Sequence, residues 1–300
     1  MPRIGAYKYL TREAVAKLAN LSLVARSAVE GFIAGLHRSP YHGFSVEFAE
    51  HREYSPGDDL RYLDWKSLAR TDRLHIKQFE EETNLRCNIL LDTSASMAYG
   101  SGPLTKLEYG CYLVASLAYL LVRQQDSVGL VTFHNRITNR ILPHSSPQHM
   151  SEILRILETI VPEENTRLAD VFHSLAASIP RRGQVVIISD LYDEEKEILR
   201  ALRHFRHKRH GVILFHLLDR KEIDFDFDEL ANFVDMETME TIHADPRYVR
   251  AEYLKLIREF TEAFRRDCAE SRIEYVLTNT SVPFDVHLSR FLEARSRALR

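Results

Sequence analysis

Three cysteines, Cys87, Cys111 and Cys268, are all that the 300 residues contain. They are odd in number and far apart, which excludes a disulfide framework and the paired spacing of a structural zinc site. Such a chain is expected in a reducing compartment, and the reading is cytoplasmic. A basic excess is missing too. Lys and Arg total 40 against 43 Asp and Glu, for a formal net charge of −3, so the charge pattern of a nucleic-acid-binding protein is absent overall. Long apolar runs are lacking as well. The longest, Cys111 to Val122, falls short of the roughly 20 residues that cross a bilayer. Arg3, Lys8, Arg12 and Glu13 interrupt the N-terminus before any apolar export signal can form. No membrane span is expected. There is no Walker loop, G-x-S-x-G elbow or H-E-x-x-H pair.

Hydrophobic residues make up 45% of the chain, enough for a large core or for one domain with a substantial appendage. Residues 11–36 predict a helix: Leu21, Val24, Ala25, Ala28, Val29 and Phe32 share one face, and Thr11 supplies a cap. Residues 1–38 are therefore read as a helical segment. Residues 39–86, with the turn YSPGDD and short alternating runs such as RLHIKQFEE, predict a small β-rich subdomain. From residue 87 to 300, apolar strands alternate with helices. CNILLDTS, SVGLVTFH, QVVIISDLY, GVILFHLLD and EYVLTNTS predict strands, NRILPH an edge strand, and NFVDMETMETIHAD extended structure. Helices are expected at about 104–123, 149–160, 167–179 and 194–208. A long amphipathic helix carries Val249, Tyr253, Leu256, Ile257, Phe260, Phe264 and Cys268 on one face, and a last helix closes the chain. Continuous apolar strands separated by helices define an α/β protein, with a doubly wound, mostly parallel sheet covered on both faces.

In such sheets ligands bind beyond the carboxyl ends of strands, so polar residues there carry the functional reading. Asp92, Ser94 and Ser96 form an Asp-x-Ser-x-Ser loop after the first of these strands. Asp190 ends the QVVIIS strand, and Thr166 precedes a helix. Taken singly, each has an ordinary explanation: helix N-caps for the hydroxyls and a strand-end turn for Asp190. Together they make an all-oxygen set suited to a hard ion, Mg²⁺ or Mn²⁺, with places left for water or an outside ligand. This arrangement resembles the metal-ion-dependent adhesion site of von Willebrand factor A domains. The resemblance implies that Ser94, Ser96 and sometimes Thr166 touch the metal, and that Asp92 and Asp190 act directly or through water. One departure is Leu191, which stands where a glycine frequently follows the aspartate.

Ahead of this domain the chain concentrates charge and aromatics: Arg52, Tyr54, Asp58, Asp59, Arg61, Asp64, Trp65 and Arg70. The plain reading is a structural network of paired charges anchored by the sole tryptophan. The functional reading is a docking surface, since Trp and Arg are favoured interface anchors. The run R-x-Y-x-x-G-D-D-x-R-x-x-D-W-x-x-x-A-R, from Arg52 to Arg70 and continuing into KQFEEE, resembles the bacterial "domain of unknown function fifty-eight" family. The resemblance implies a cytoplasmic partner of a MoxR-type AAA+ ATPase or of its client, acting in assembly or activation of other complexes. Two other readings compete with this one. A metal-dependent phosphohydrolase of the haloacid-dehalogenase type needs an acid two residues after Asp92, where Ser94 stands. Nucleic-acid binding through the basic run 202–211 competes with a simpler reading, in which cations complement the C-terminal end of a helix.

Overall fold

The computed structural model describes residues 8–9, 46–53, 64–65, 67, 74–81, 85–163, 167–179, 182–227, 231–236 and 239–297, with the backbone alone for 46–53 and 75–81. The helix expected over 11–36 lies outside the described residues. The chain divides into two compact units, one of residues 1–31 with 85–300 and one of residues 32–84. In the smaller unit, β1 (Val46–Glu53) and β2 (His75–Glu81) form an antiparallel pair whose register shifts between Phe48 and Glu50.

The larger unit is built in the order β3 (Arg86–Asp92), α1 (Lys106–Arg123), β4 (Ser127–Phe133), β5 (Ile137–His144), α2 (Pro147–Thr159), α3 (Leu168–Ser178), β6 (Gln184–Ser189), α4 (Glu195–His207), β7 (Gly211–Leu218), α5 (Arg220–Asp224), β8 (Ala231–Val234), β9 (Thr241–Ala244), α6 (Pro246–Glu270), β10 (Glu274–Asn279) and α7 (Phe284–Arg297). Six strands pair in the order β10-β7-β6-β3-β4-β5. All neighbours run parallel except β5, which returns antiparallel at one edge. This is the doubly wound, mostly parallel sheet expected from the apolar strands. The segment expected to be extended is a separate hairpin, β8 with β9.

The strand burial explains the pattern. β6 and β7 are buried throughout, and β3 is buried from Cys87 to Asp92, so these strands carry no polar alternation. On one face Leu90, Val131, Val185, Ile187 and Leu214 join Phe172, Phe205 and Phe264 of α3, α4 and α6 in one apolar cluster. On the other lies α1, capped reciprocally by Thr105 and Glu108 and almost wholly buried. Gly110 lets α1 approach closely: a Cβ there would lie 2.9 Å from Leu91 Cδ1. Near the chain start, Tyr9 meets Tyr112 of α1 edge to face, and Lys8 Nζ lies 2.7 Å from Glu108.

Gly129 has a sharper requirement. It sits in β4 where the register with β5 shifts, and a Cβ would lie 2.6 Å from the Ile141 carbonyl oxygen and 2.9 Å from the Pro143 ring. Backbone cannot yield as a side-chain tip can. Gly129→Ala should lower stability by about 1–3 kcal/mol, read as a lower urea midpoint at unchanged slope; an unchanged midpoint would refute the close approach.

Candidate functional site

Successive connections run from β3 toward β4 on one side and from β6 toward β7 on the other, so the crevice where the order reverses lies between β3 and β6. Asp92 is the last residue of β3, and Asp190 follows β6 directly. Both are buried, as is Ser94, while Ser96 is half-buried. The loop after Asp92 folds back on its own carboxylate: Ser94 N–H donates to Asp92 Oδ1 at 2.9 Å. Ser94 then precedes a 3₁₀ turn, Ala95–Ala98, at the cap position, yet its side chain makes no capping hydrogen bond. Its hydroxyl lies 3.1 Å from the Ser96 hydroxyl. The simple N-cap explanation therefore does not account for Ser94. Thr93 turns away, donating through Oγ1 to the Phe133 carbonyl at 2.9 Å. Across the crevice, Ser189 Oγ donates to Asp92 Oδ2 at 2.5 Å, tying β6 to β3. Thr166 lies outside the described residues.

Charge makes this crevice demanding. Burial, and then the neighbouring Asp190, push the Asp92 carboxyl up to about 7. A buried carboxylate pair held apart from water is what a divalent cation relieves, and the nearby hydroxyls are the hard oxygen donors such an ion takes. Asp92, Asp190, Ser94 and Ser96 thus fit Mg²⁺ or Mn²⁺ by donor chemistry. Among the described residues, no three His, Cys, Asp or Glu side chains cluster as a metal site, so an ion held here would need hydroxyl donors as well.

Two further side chains meet this site. Lys106, the first residue of α1, is completely buried, with Nζ 2.8 Å from Asp190 Oδ2 and 2.6 Å from Glu222 Oε1. Burial alone would lower its pKa; Asp190 and Glu222 outweigh this and hold the ammonium above its ordinary range. The rings of Tyr192 and Tyr99 lie 4.8 and 5.9 Å from Nζ. Glu222 is itself fixed by a reciprocal cap with Asp219, and Asp219 accepts from Thr280 Oγ1 at 3.2 Å and from Ser101 N–H at 3.0 Å. The second partner is His216. Its Nε2 lies 3.0 Å from the Asp190 carbonyl oxygen, so Nε2 carries the proton, and Nδ1 accepts from Tyr275 Oη at 2.7 Å. Burial depresses this imidazole to about 4, keeping it neutral.

Leu191 resolves the departure noted in the loop. It adopts φ of 60°, the left-handed conformation that a glycine takes without penalty. The loop holds it there: Leu191 N–H donates to Ser189 Oγ at 3.0 Å, its carbonyl accepts from Asp193 N–H at 2.9 Å, and its side chain joins the apolar cluster.

Of the charged segment before the domain, Asp64 is buried and accepts from Ser67 N–H at 3.3 Å. Trp65 is 65% exposed, which corrects the expectation of a buried aromatic anchor. Arg52 lies in β1; Tyr54, Asp58, Asp59, Arg61 and Arg70 lie outside the described residues. In the basic run 202–211, Arg203 pairs with Asp267 at 2.6 Å and Arg206 donates to the His210 and Ser271 carbonyls. These cations stitch α4 to its neighbours at the helix C-terminus, as the helix-end reading holds.

Topology and crevice together define an α/β domain of the von Willebrand factor A-like class. The chain belongs to the family described as "Protein of unknown function DUF58", whose profile matches residues 50–263. It is similar to the uncharacterized protein Mb1516 of Mycobacterium bovis, 28% identical over 213 residues, or 70% of this chain and 66% of that protein. It is also similar to the uncharacterized protein YeaD of Bacillus subtilis, 30% identical over 121 residues, or 40% of this chain and 28% of that one. This chain thus matches just under two thirds of the length of the mycobacterial relative. Among solved structures it resembles the conserved hypothetical protein BatB from Bacteroides thetaiotaomicron, at 17% identity and a TM-score of 0.46, covering 71% of this chain and 99% of that one. It also resembles the SpRpn10 VWA domain, at 13% identity and a TM-score of 0.42, covering 69% and 94%. No helix among the described residues is long and apolar enough to cross a membrane.

Proposed function

We propose that this protein is a metal-dependent protein-binding module, cytoplasmic and without catalysis of its own, that docks on a MoxR-type AAA+ ATPase or on that ATPase's client. The observation that carries the reading is the Asp92 carboxyl, raised by burial and then by Asp190, beside the paired Ser94 and Ser96 hydroxyls. Asp92, Ser94, Ser96 and Asp190, with Thr166 as a further donor, would hold Mg²⁺ or Mn²⁺. Bound there, the ion offers a coordination place to an outside oxygen, and an acidic side chain of the partner is the natural occupant. Ser96 is half-buried, the most accessible of the four described donors. The choice of ATPase rests on the family resemblance, and exposed Trp65 favours the segment around it as a second docking element. The phosphohydrolase alternative is disfavoured because Ser94 takes the acid's place and binds Asp92 through its backbone.

The test is affinity for a MoxR-type ATPase of the same organism, measured with Mg²⁺, with chelator, and in a Ser96→Ala/Asp190→Ala variant. Binding should weaken at least about tenfold in the last two conditions, since a direct coordination contact is lost. Raising salt at constant Mg²⁺ should weaken it less, because coordination is screened less than a surface attraction. Equal affinity in all conditions would remove the metal from the interaction.

A further inference from the structure

Lys106 raises a question that metal binding alone does not answer. An ammonium at the first turn of a helix opposes the positive end of the helix dipole, and complete burial adds a large desolvation cost. Both disfavour a lysine here, yet the side chain is clamped between Asp190 and Glu222 and flanked by two tyrosine rings. Asp190 is also one of the two carboxylates offered to the divalent ion. Asp92, Asp190 and Glu222 stand about this crevice, and Lys106 is the cation that bonds the last two.

From this geometry we infer that Lys106 is a tethered cation that competes with the divalent ion for Asp190, so that the site holds its metal weakly and exchangeably. The inference rests on the metal-binding reading above. Its logic is electrostatic: a positive charge already bonded to Asp190 Oδ2 repels the incoming ion and withholds one carboxylate oxygen from it. The same charge leaves the bound ion less neutralised by the protein, which favours an acidic group from outside. Glu222 holds Nζ from its second side, and is itself fixed by its cap with Asp219 and thence to Ser101 and Thr280. Lys106 thereby joins the metal crevice to the loops that follow β3, β7 and β10.

The experiment is Mn²⁺ binding, followed by electron paramagnetic resonance and calorimetry, to the full chain and to Lys106→Met and Lys106→Gln, each with and without Asp92→Ala. Methionine keeps the length without charge; glutamine keeps a hydrogen bond to the carboxylates. Both should bind Mn²⁺ at least about tenfold more tightly than the parent, in an Asp92-dependent way, and show a larger rise in melting temperature on adding metal. Asp92-dependent binding in the variants but none in the parent supports the same competition in its extreme form. If the parent binds through Asp92 and both variants bind equally or more weakly, Lys106 is a structural or positioning cation; the competition is overturned while the metal reading stands. If no form binds in an Asp92-dependent way, the metal reading falls and this inference falls with it. Should a variant be unfolded in chelator, refolding driven by Mn²⁺ supports the competition, and failure to refold in both variants overturns it.

Discussion

Asp92→Asn should abolish divalent-cation binding, by at least about a hundredfold, and yet leave the protein no less stable than the parent when chelator is present. The two outcomes share one cause. Asp92 is completely buried and electrostatically opposed to Asp190, so its charge costs stability unless a cation accompanies it. An asparagine keeps the shape: its carbonyl can accept from Ser94 N–H as Asp92 Oδ1 does, and its amide can face Ser189 Oγ. Removing the like charge should then stabilise the metal-free protein by on the order of 2 kcal/mol. Metal at about a hundred times its dissociation constant stabilises the parent by about 2.7 kcal/mol and should do nothing for the variant. Thermal melts of both proteins in chelator and in Mg²⁺ give the four values needed. A variant that melts well below the parent in chelator would show Asp92 to be a structural acceptor first and a metal ligand second.

The second large effect concerns the opposite end of the sheet. Asp126, in the turn joining α1 to β4, is 3% exposed. Its Oδ1 accepts from Leu85 N–H at 2.9 Å, and its Oδ2 has no hydrogen-bond partner among the described residues. Burial pushes this carboxyl up to about 7, and the single backbone donor only partly opposes it. Below the ordinary aspartate value of about 4, folded and unfolded chains are both protonated and nothing is lost. Between about 4 and 7 the folded form keeps a proton that the unfolded chain releases, so stability falls as pH rises. Above that window both are ionised and the full cost, on the order of 4 kcal/mol, remains. Asp126→Asn should therefore melt higher than the parent at pH 8 and show a flatter decline from pH 4 to 7, with little difference at pH 4. Parallel pH profiles for the two proteins would mean that Asp126 ionises freely in the fold.

Much of the scaffold was legible because its physics is local. A strand such as QVVIIS is apolar on both faces only if helices cover both, and β6 is buried throughout. The edge strand β5, expected from NRILPH, alternates half-buried and exposed residues along most of its length. Asp92, Ser94, Ser96 and Asp190 could be picked out because sheets of this class place ligands at strand ends, and in the fold Ser94 hydrogen-bonds both Asp92 and Ser96. Lys106 and Glu222 were not legible, because their meaning lies in contacts 84 and 116 residues away along the chain. One signal did exist: a lysine at the first position of an otherwise apolar helix is electrostatically out of place unless anions meet it. Leu191 escaped for a different reason, since a leucine gives no hint of positive φ and only the surrounding hydrogen bonds impose it. Trp65 shows the limit of composition. A lone tryptophan suggests an anchor, and here it faces outward.

The three thiols have a consequence for how this molecule can be watched. Cys87, Cys111 and Cys268 are all buried and unpaired, on β3, α1 and α6 respectively. Burial raises all three, those of Cys111 and Cys268 to about 12, so almost no thiolate exists in the closed fold and none is within reach of a reagent. Each sulfur becomes alkylated only when its own layer parts from the sheet. One helix face, the sheet and the opposite helix face therefore each carry a natural reporter, and their separate modification rates record whether the layers breathe independently or come apart as one.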